Sequence, residues 1–142
     1  MDADKEQHMQ ILLTEPVLAR LATANPATLQ PHVVPVWFLW DGSSLWISAF
    51  VSTRKVKDLL KNRRCAVLIE PAQAKDSPLQ AVLMEGSAEL IQEPATLVAE
   101  MSERIYVKYM GPEGVLAAEP QSWKSDPENR LVKLTPQRQF AW

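Results

Sequence analysis

Apolar and polar positions divide the chain into short strands and a few helical segments. The longest apolar run, Val33 to Trp40, is rich in β-branched and aromatic residues, which predicts a strand buried on both faces. Asp41-Gly42 is typical of a tight turn, and Leu45 to Val51 returns with further strand formers. We therefore expect a β-hairpin at the centre of the fold.

Three segments repeat apolar residues at helical spacing: Lys5 to Leu13, Lys55 to Arg63 and Ala95 to Tyr109. Ser52-Thr53 precedes the second segment and is placed to cap it. Gly111-Pro112 follows the third segment and is expected to end it. The helices thus flank the hairpin on both sides along the chain.

The remaining strand predictions lie between turn-forming residues. They are Val17 to Ala24, Cys65 to Glu70, Leu79 to Gln92 with an interruption near Glu85-Gly86, and Arg130 to Thr135 with an edge continuation to Trp142. Gly114 to Asn129 is rich in Glu, Pro and Ser, and we expect a surface excursion with little regular structure. No repeat is visible, so residues 1–142 are expected to form one domain of the α+β class, mainly a β-barrel with added helices.

Composition narrows the class of protein. The chain is 46% hydrophobic and 23% charged with a formal net charge of -2, which predicts a soluble domain with no general attraction to nucleic acid or to a membrane. No apolar run approaches the roughly 20 residues of a spanning helix. The polar start lacks the apolar region of a signal peptide, so a cytoplasmic location is expected. Cys65 is the only cysteine, and His8 and His32 lie far apart, so neither a disulfide nor a protein-built metal site is expected.

Five tryptophans are many for a chain of 142 residues. Four of them accompany predicted strands: Trp37, Trp40, Trp46 and Trp142. An isolated barrel of this length has difficulty burying so many large rings, and aromatic residues are enriched at protein interfaces. We expect most of these rings in the core or in a subunit interface, although rings of this kind also stack on bound cofactors.

The start of the second helix offers the clearest candidate chemistry. A capped helix start presents unpaired backbone N–H groups and a positive dipole end, and here Arg54 and Lys55 stand beside it. This combination suits a phosphate. The plainer interpretation is a solvated basic helix, because Lys57 and Lys61 continue the run, and the acidic chain argues against a nucleic-acid patch.

No nucleophile–base pair, paired-carboxylate site or glycine-rich phosphate loop can be assembled from the sequence. His32, beside a proline at a strand start, is interpreted as structural, and Cys65 as an inert buried thiol. Glu85, inside an apolar strand, is the one carboxylate that stands out. If the protein is an enzyme, a cofactor must therefore carry the chemistry.

The hairpin PHVVPVWFLWDGSSLWIS followed by STRKVKDLLKNRRCAVLIE resembles the pyridoxamine 5′-phosphate oxidase-like, flavin-binding split β-barrel family. The segments VLARLATANP, Gly86 to Ala88 and RLVKLTPQRQFAW also fall where that family places equivalents. The resemblance implies a six-stranded split β-barrel with flanking helices. It also implies a homodimer with two cofactor sites at the interface, each holding FMN or, in one branch, a deazaflavin.

The resemblance also implies which residues bind the cofactor. Arg54 and Lys55 match the pair that contacts the phosphate, and Ser52 and Thr53 match its flanking hydroxyls. The strand whose backbone lies along the flavin ring and ribityl chain corresponds to Val34, Pro35, Val36, Trp37, Phe38 and Leu39. Ile47 and Ser48 fall near the next contact pair.

Two departures bear on activity. The oxidase itself has an arginine at the position of Val34 and a lysine at that of Leu39, so vitamin B6 oxidation is not implied here. Three hypotheses stay open: an FMN-dependent oxidoreductase acting on an unknown small substrate, a deazaflavin-dependent reductase, and a non-catalytic flavin-binding or sensing module. The sequence assigns no catalytic residue.

Overall fold

A computed structural model describes all residues, 1–142. Eight strands form one curled antiparallel sheet in the order β2-β1-β5-β6-β7-β4-β3, with β8 paired to β6. The strands are β1 (Ala19–Ala24), β2 (Pro31–Val36), β3 (Leu39–Trp40), β4 (Leu45–Phe50), β5 (Arg64–Ile69), β6 (Val82–Ile91), β7 (Asn129–Leu134) and β8 (Arg138–Ala141). The helices are α1 (Ala3–Thr14), α2 (Arg54–Lys61), α3 (Ala95–Gly114) and α4 (Ala118–Lys124). The predicted α+β split barrel is confirmed, with eight strands in place of six.

The longest strand, β6, changes partners halfway along one edge. Its first half pairs with β8 and its second half with β7, while β5 follows the other edge. Gly86 lies at the change, where an added Cβ would stand 3.1 Å from Leu134 Cδ1 and 3.2 Å from Thr135 O. The strand is therefore not interrupted near Glu85-Gly86 as predicted. The glycine instead permits a close approach of two chain segments.

Two groups of buried side chains hold the sheet and the helices together. The larger core fills the curl of the sheet against α1, and it includes Met9, Leu13, Leu21, Val67 and Met84. The smaller one lies between α3 and strands β4 and β7, and it includes Trp46, Val98, Met101, Ile105 and Leu131. The second core packs α3 against β4 and β7. No helix combines the length and the apolar character that crossing a bilayer requires.

The prediction of one strand over Val33 to Trp40 is wrong. β2 is an edge strand with one outward face, on which Val33 is 63% exposed. The ladder breaks after Val36 because the backbone of Phe38 bonds to α3 instead of to a neighbouring strand. Its N–H donates to the Tyr109 hydroxyl at 3.1 Å, and its carbonyl accepts from Lys108 Nζ at 3.1 Å. The apolar run therefore divides into β2 and the short β3.

The turn predicted at Asp41-Gly42 is confirmed. Gly42 has a positive φ of 102°, and the Asp41 carboxylate accepts from the Ser44 amide and the Trp46 indole at 2.7 and 2.9 Å. Burial alone would raise the pKa of Asp41. Hydrogen bonds from Trp46, Ser43 and Ser44 outweigh that effect and lower the pKa to about 2.

The C-terminal half confirms one expectation and contradicts another. The regular helix is broken at Gly111 as predicted, because φ of 79° and ψ of 165° are not helical, and a further short helical turn through Pro112 reaches Gly114. The expectation of little regular structure after it is wrong. The segment Gly114 to Asn129 contains α4, which the polar composition concealed. Pro120 lies in the first turn of α4, where a missing N–H removes no helical hydrogen bond.

Candidate functional site

A cleft of about 300 Å³ opens beside the start of α2. It collects side chains from five elements and from two connections. They are Trp37, Ser48, Ala49, Phe50, Thr53, Lys55, Tyr106, Trp123 and Asn129. A larger cleft of about 410 Å³ surrounds Arg64 and Glu85, but no aromatic residue lines it. The cleft beside α2 combines aromatic faces with a cation, and we call it the α2 cleft.

The wall of the α2 cleft is aromatic. Trp37 stacks on Tyr109 with ring centroids 4.9 Å apart and planes 4° apart. Tyr106 meets Trp37 at 6.3 Å and Trp123 at 5.9 Å, both edge to face. The indole N–H groups of Trp37 and Trp123 have no acceptor in the chain and remain accessible. The wall thus offers flat apolar faces together with two free donors, which suits a planar heteroaromatic ring.

The floor of the α2 cleft is a polar network of four side chains. Ser48 Oγ lies 3.0 Å from the Tyr106 hydroxyl and 2.8 Å from Asn129 Oδ1. Ser102 Oγ lies 3.0 Å from Ser48 Oγ and accepts from Asn129 Nδ2 at 2.9 Å. Ser102 and Asn129 are almost fully buried. Burial raises the pKa of Tyr106, which further disfavours the phenolate.

Lys55 is the cation of the α2 cleft. Its side chain is about half buried, burial lowers its pKa, and no carboxylate lies within ion-pair distance. Arg54 differs, because its Nε lies 3.9 Å from the buried Asp58 carboxylate and half of its side chain is exposed. Thr23 also donates to Asp58 at 3.0 Å. The structure therefore places only one of the two predicted phosphate cations in the cleft.

The start of α2 is open. Thr53 occupies the cap position, but its hydroxyl donates to Phe50 O at 2.7 Å and accepts nothing from the helix. The predicted side-chain cap is therefore wrong. The backbone N–H groups of Arg54, Lys55 and Val56 consequently have no acceptor within the chain. Open amides and a positive dipole end favour an anion at this point.

The predicted cofactor residues divide into two sets. Trp37, Ser48, Thr53 and Lys55 meet at the α2 cleft. The others point elsewhere: Val36, Phe38 and Ile47 are buried in the larger core, Val34 packs against it, Leu39 packs against the α3 cluster, and Pro35, Ser52 and Arg54 are exposed. For the buried members of this second set only backbone contacts with a ligand stay open. The exposed side chains of Ser52 and Arg54 stay predicted phosphate contacts.

Two residues of α3 hold the cleft in shape, and the sequence pattern did not single them out. Lys108 Nζ donates to Leu13 O at 3.2 Å and to Phe38 O at 3.1 Å, and it stands 3.5 Å from the centre of the Phe38 ring. Burial lowers its pKa to about 8. The Tyr109 hydroxyl donates to Val17 O at 2.7 Å. Both side chains bond to the backbone of Phe38, the residue that follows Trp37.

Other sequence candidates lie outside the α2 cleft. Cys65 is buried as predicted, and burial raises its pKa to about 11, which disfavours the reactive thiolate. Glu85 is half-buried and lines the cleft around Arg64. Trp40 and Trp46 donate their indole protons to Gln10 and Asp41. These two tryptophans serve packing within the protomer.

Comparison with solved structures finds the same fold in several proteins. The conserved hypothetical protein Rv2991 from Mycobacterium tuberculosis is 21% identical, with a TM-score of 0.77 over 100% of this chain and 84% of that one. An F420 reductase is 21% identical, with a TM-score of 0.73 over 92% and 94%. HutZ, the heme storage protein from Vibrio cholerae, is 14% identical, with a TM-score of 0.74 over 96% and 93%.

Sequence similarity to a family model extends over nearly the whole chain. No curated protein matches the sequence. The family model for pyridoxamine 5′-phosphate oxidase, however, matches residues 5–142. It therefore spans every strand and nearly all of α1, and it agrees with the split-barrel topology. The chain belongs to the pyridoxamine 5′-phosphate oxidase-like split-barrel family.

Proposed function

We propose that the α2 cleft holds FMN and that the protein is an FMN-dependent oxidoreductase acting on a small substrate. The observation that carries the proposal is Lys55, a partly buried cation without a carboxylate partner, beside the three open amides of α2. A charge in this position costs desolvation unless an anion compensates it. A phosphate bonded by the amides and by Lys55 would supply that compensation.

The remaining donor set fits the rest of the cofactor. Trp37, Tyr106 and Trp123 offer faces and edges to a planar ring, and their packing keeps water from one side of it. Lys55 and Tyr106 are the only titratable side chains of this chain that line the cleft. When bound, FMN supplies hydride transfer at its ring nitrogen. The chain binds and orients the ring and shields it from water.

The proposal includes a homodimer with the cofactor at the subunit interface and a cytoplasmic location, as the family resemblance implies. Large apolar side chains that remain exposed support an interface, among them Val33, Phe140 and Trp142 at 63%, 38% and 50%. Light scattering after size exclusion should report twice the 16.0 kDa chain mass. A stable monomer that still binds FMN would remove the interface from the proposal.

A deazaflavin is the second candidate cofactor. The similarity to an F420 reductase favours it, and the exposed Lys57 on α2 adds positive charge beyond Lys55 that suits a longer acidic tail. Titration with FMN, FAD and a deazaflavin separates the two candidates by affinity. Tight flavin binding without any turnover, over a panel of reductants and acceptors, would favour the third hypothesis of a non-catalytic binding module.

The phosphate assignment is tested with Lys55→Ala and two ligands. A charge-assisted hydrogen bond contributes about 1.5–3 kcal/mol, which is roughly one to two decades in affinity. FMN should therefore weaken by about 10- to 100-fold, while riboflavin, which lacks the phosphate, should change little. Flavin fluorescence titration measures both. Arg54→Ala should reduce FMN affinity less than Lys55→Ala does, because Arg54 lies within ion-pair distance of Asp58.

The matched control is Lys61→Ala, which removes an exposed lysine at the far end of the same helix. It should leave both affinities unchanged. Equal losses for FMN and riboflavin in Lys55→Ala would refute the phosphate contact. Failure of wild-type protein to bind any flavin below roughly millimolar concentration would refute the cofactor site itself.

A further inference from the structure

The floor of the α2 cleft contains a hydrogen-bond ring whose protons can be assigned. Asn129 Nδ2 lies 2.9 Å from Ser102 Oγ and 3.4 Å from the Lys124 carbonyl, which fixes the amide nitrogen on that side. The amide oxygen Oδ1 therefore faces Ser48 Oγ at 2.8 Å. A carbonyl oxygen only accepts, so the single hydroxyl proton of Ser48 is given to Asn129.

This assignment decides the role of Tyr106. Its hydroxyl lies 3.0 Å from Ser48 Oγ, and Ser48 has no second proton to give. Ser102 gives its own proton to Ser48 Oγ at 3.0 Å, so Tyr106 donates its proton in the contact with Ser48. The phenol then presents a lone pair, and no proton, to the cleft.

The walls of the α2 cleft, in contrast to its floor, carry hydrogen-bond donors. The indole N–H groups of Trp37 and Trp123 and the ammonium of Lys55 are donors without an acceptor in the chain. A ligand that fits must bring acceptors for the walls and a donor for the floor. An oxidised flavin ring has one N–H, the imide N3–H, and it stands between two carbonyl groups.

We propose that Tyr106 Oη accepts the imide N3–H of the bound flavin ring and so selects and orients that edge of the ring. The inference rests on the proposed function, because it assumes that the ring enters the α2 cleft. Tyr106 is a binding and orienting residue in this role. It makes the site specific for a heteroaromatic ring with an unsubstituted imide.

The test compares FMN with 3-methyl-FMN, which lacks the imide proton, in wild type and in Tyr106→Phe. Wild type should prefer FMN by roughly 5- to 10-fold, the worth of one neutral hydrogen bond. Tyr106→Phe should bind FMN weaker by about that factor and should lose the preference. The control variant Lys61→Ala should keep the preference for FMN over 3-methyl-FMN. Fluorescence titration measures all of these affinities.

The outcomes are distinct. An equal preference for FMN in both proteins, or unchanged FMN affinity with improved 3-methyl-FMN binding in Tyr106→Phe, would overturn the hydrogen bond and leave the cofactor site standing. No binding of either flavin to wild type would overturn the proposed function itself. If Tyr106→Phe does not fold, FMN labelled with ¹⁵N at N3 gives a test on wild type. Its N3–H should be protected from exchange with water, and exchange at the free-ligand rate would refute the contact.

Discussion

The hydroxyl of Tyr109 joins three segments of the chain, and its removal has a calculable cost. Tyr109→Phe deletes one oxygen and leaves the stack of this ring on Trp37 in place. That oxygen donates to Val17 O at 2.7 Å and accepts from Phe38 N at 3.1 Å. Val17 and Phe38 are 8% and 0% exposed, so water reaches neither group easily. Both backbone groups lose their partner.

An unsatisfied buried donor or acceptor costs about 1–3 kcal/mol. Two such groups predict a loss of about 2–6 kcal/mol from a free energy of unfolding that is typically about 5–15 kcal/mol. Lys108 still binds the Phe38 carbonyl at 3.1 Å. The variant should therefore fold, with a looser connection between β2 and β3. Because Trp37 lies in that connection, flavin affinity should also fall.

Urea unfolding measures the effect. With an m-value of about 2 kcal/mol/M, the midpoint should fall by about 1–3 M at unchanged m. Tyr106→Phe is the matched control. The Tyr106 hydroxyl bonds to a side chain, so its removal leaves no backbone group without a hydrogen-bond partner. A loss below about 0.5 kcal/mol in Tyr109→Phe, or a loss equal to that of the control, would refute the role of this hydroxyl.

Two further predictions concern the sheet and the pH dependence of stability. Gly86→Ala should cost about 1–3 kcal/mol, because its Cβ would press on Leu134 Cδ1 at 3.1 Å and on backbone at 3.2 Å. Calorimetry on this variant and on exposed Ser87→Ala checks it, and equal melting temperatures would contradict it. Lys108 has a pKa of about 8 in the fold against an ordinary value of 10.5, so the unfolded chain binds more protons between these values. Wild-type stability relative to Lys108→Met should therefore rise from about pH 8 to pH 10.5, and a constant difference across that window would refute the shift.

Local sequence determined those elements whose interactions lie within a few residues. The turn at Asp41-Gly42 needs only a glycine with positive φ and a carboxylate two and three residues before its amide donors. The helices α1 and α2 follow from their own apolar spacing. The basic start of α2 is predictable because Arg54 and Lys55 are consecutive in the sequence. The hairpin around Asp41-Gly42 is local too, although only Leu39-Trp40 of the predicted first strand, Val33 to Trp40, pairs with Leu45-Trp46.

Only the tertiary structure decided which residues form the site. Ser48 meets Tyr106 across 58 positions and Asn129 across 81, and no local pattern records such a meeting. Tyr109 and Lys108 end the apolar run of β2 from 71 and 70 positions away. A polar side chain at a helix end has the same sequence signature whether it faces water or a buried carbonyl. Which backbone carbonyl such a side chain bonds to is decided by the tertiary structure, as for Lys108 and Tyr109.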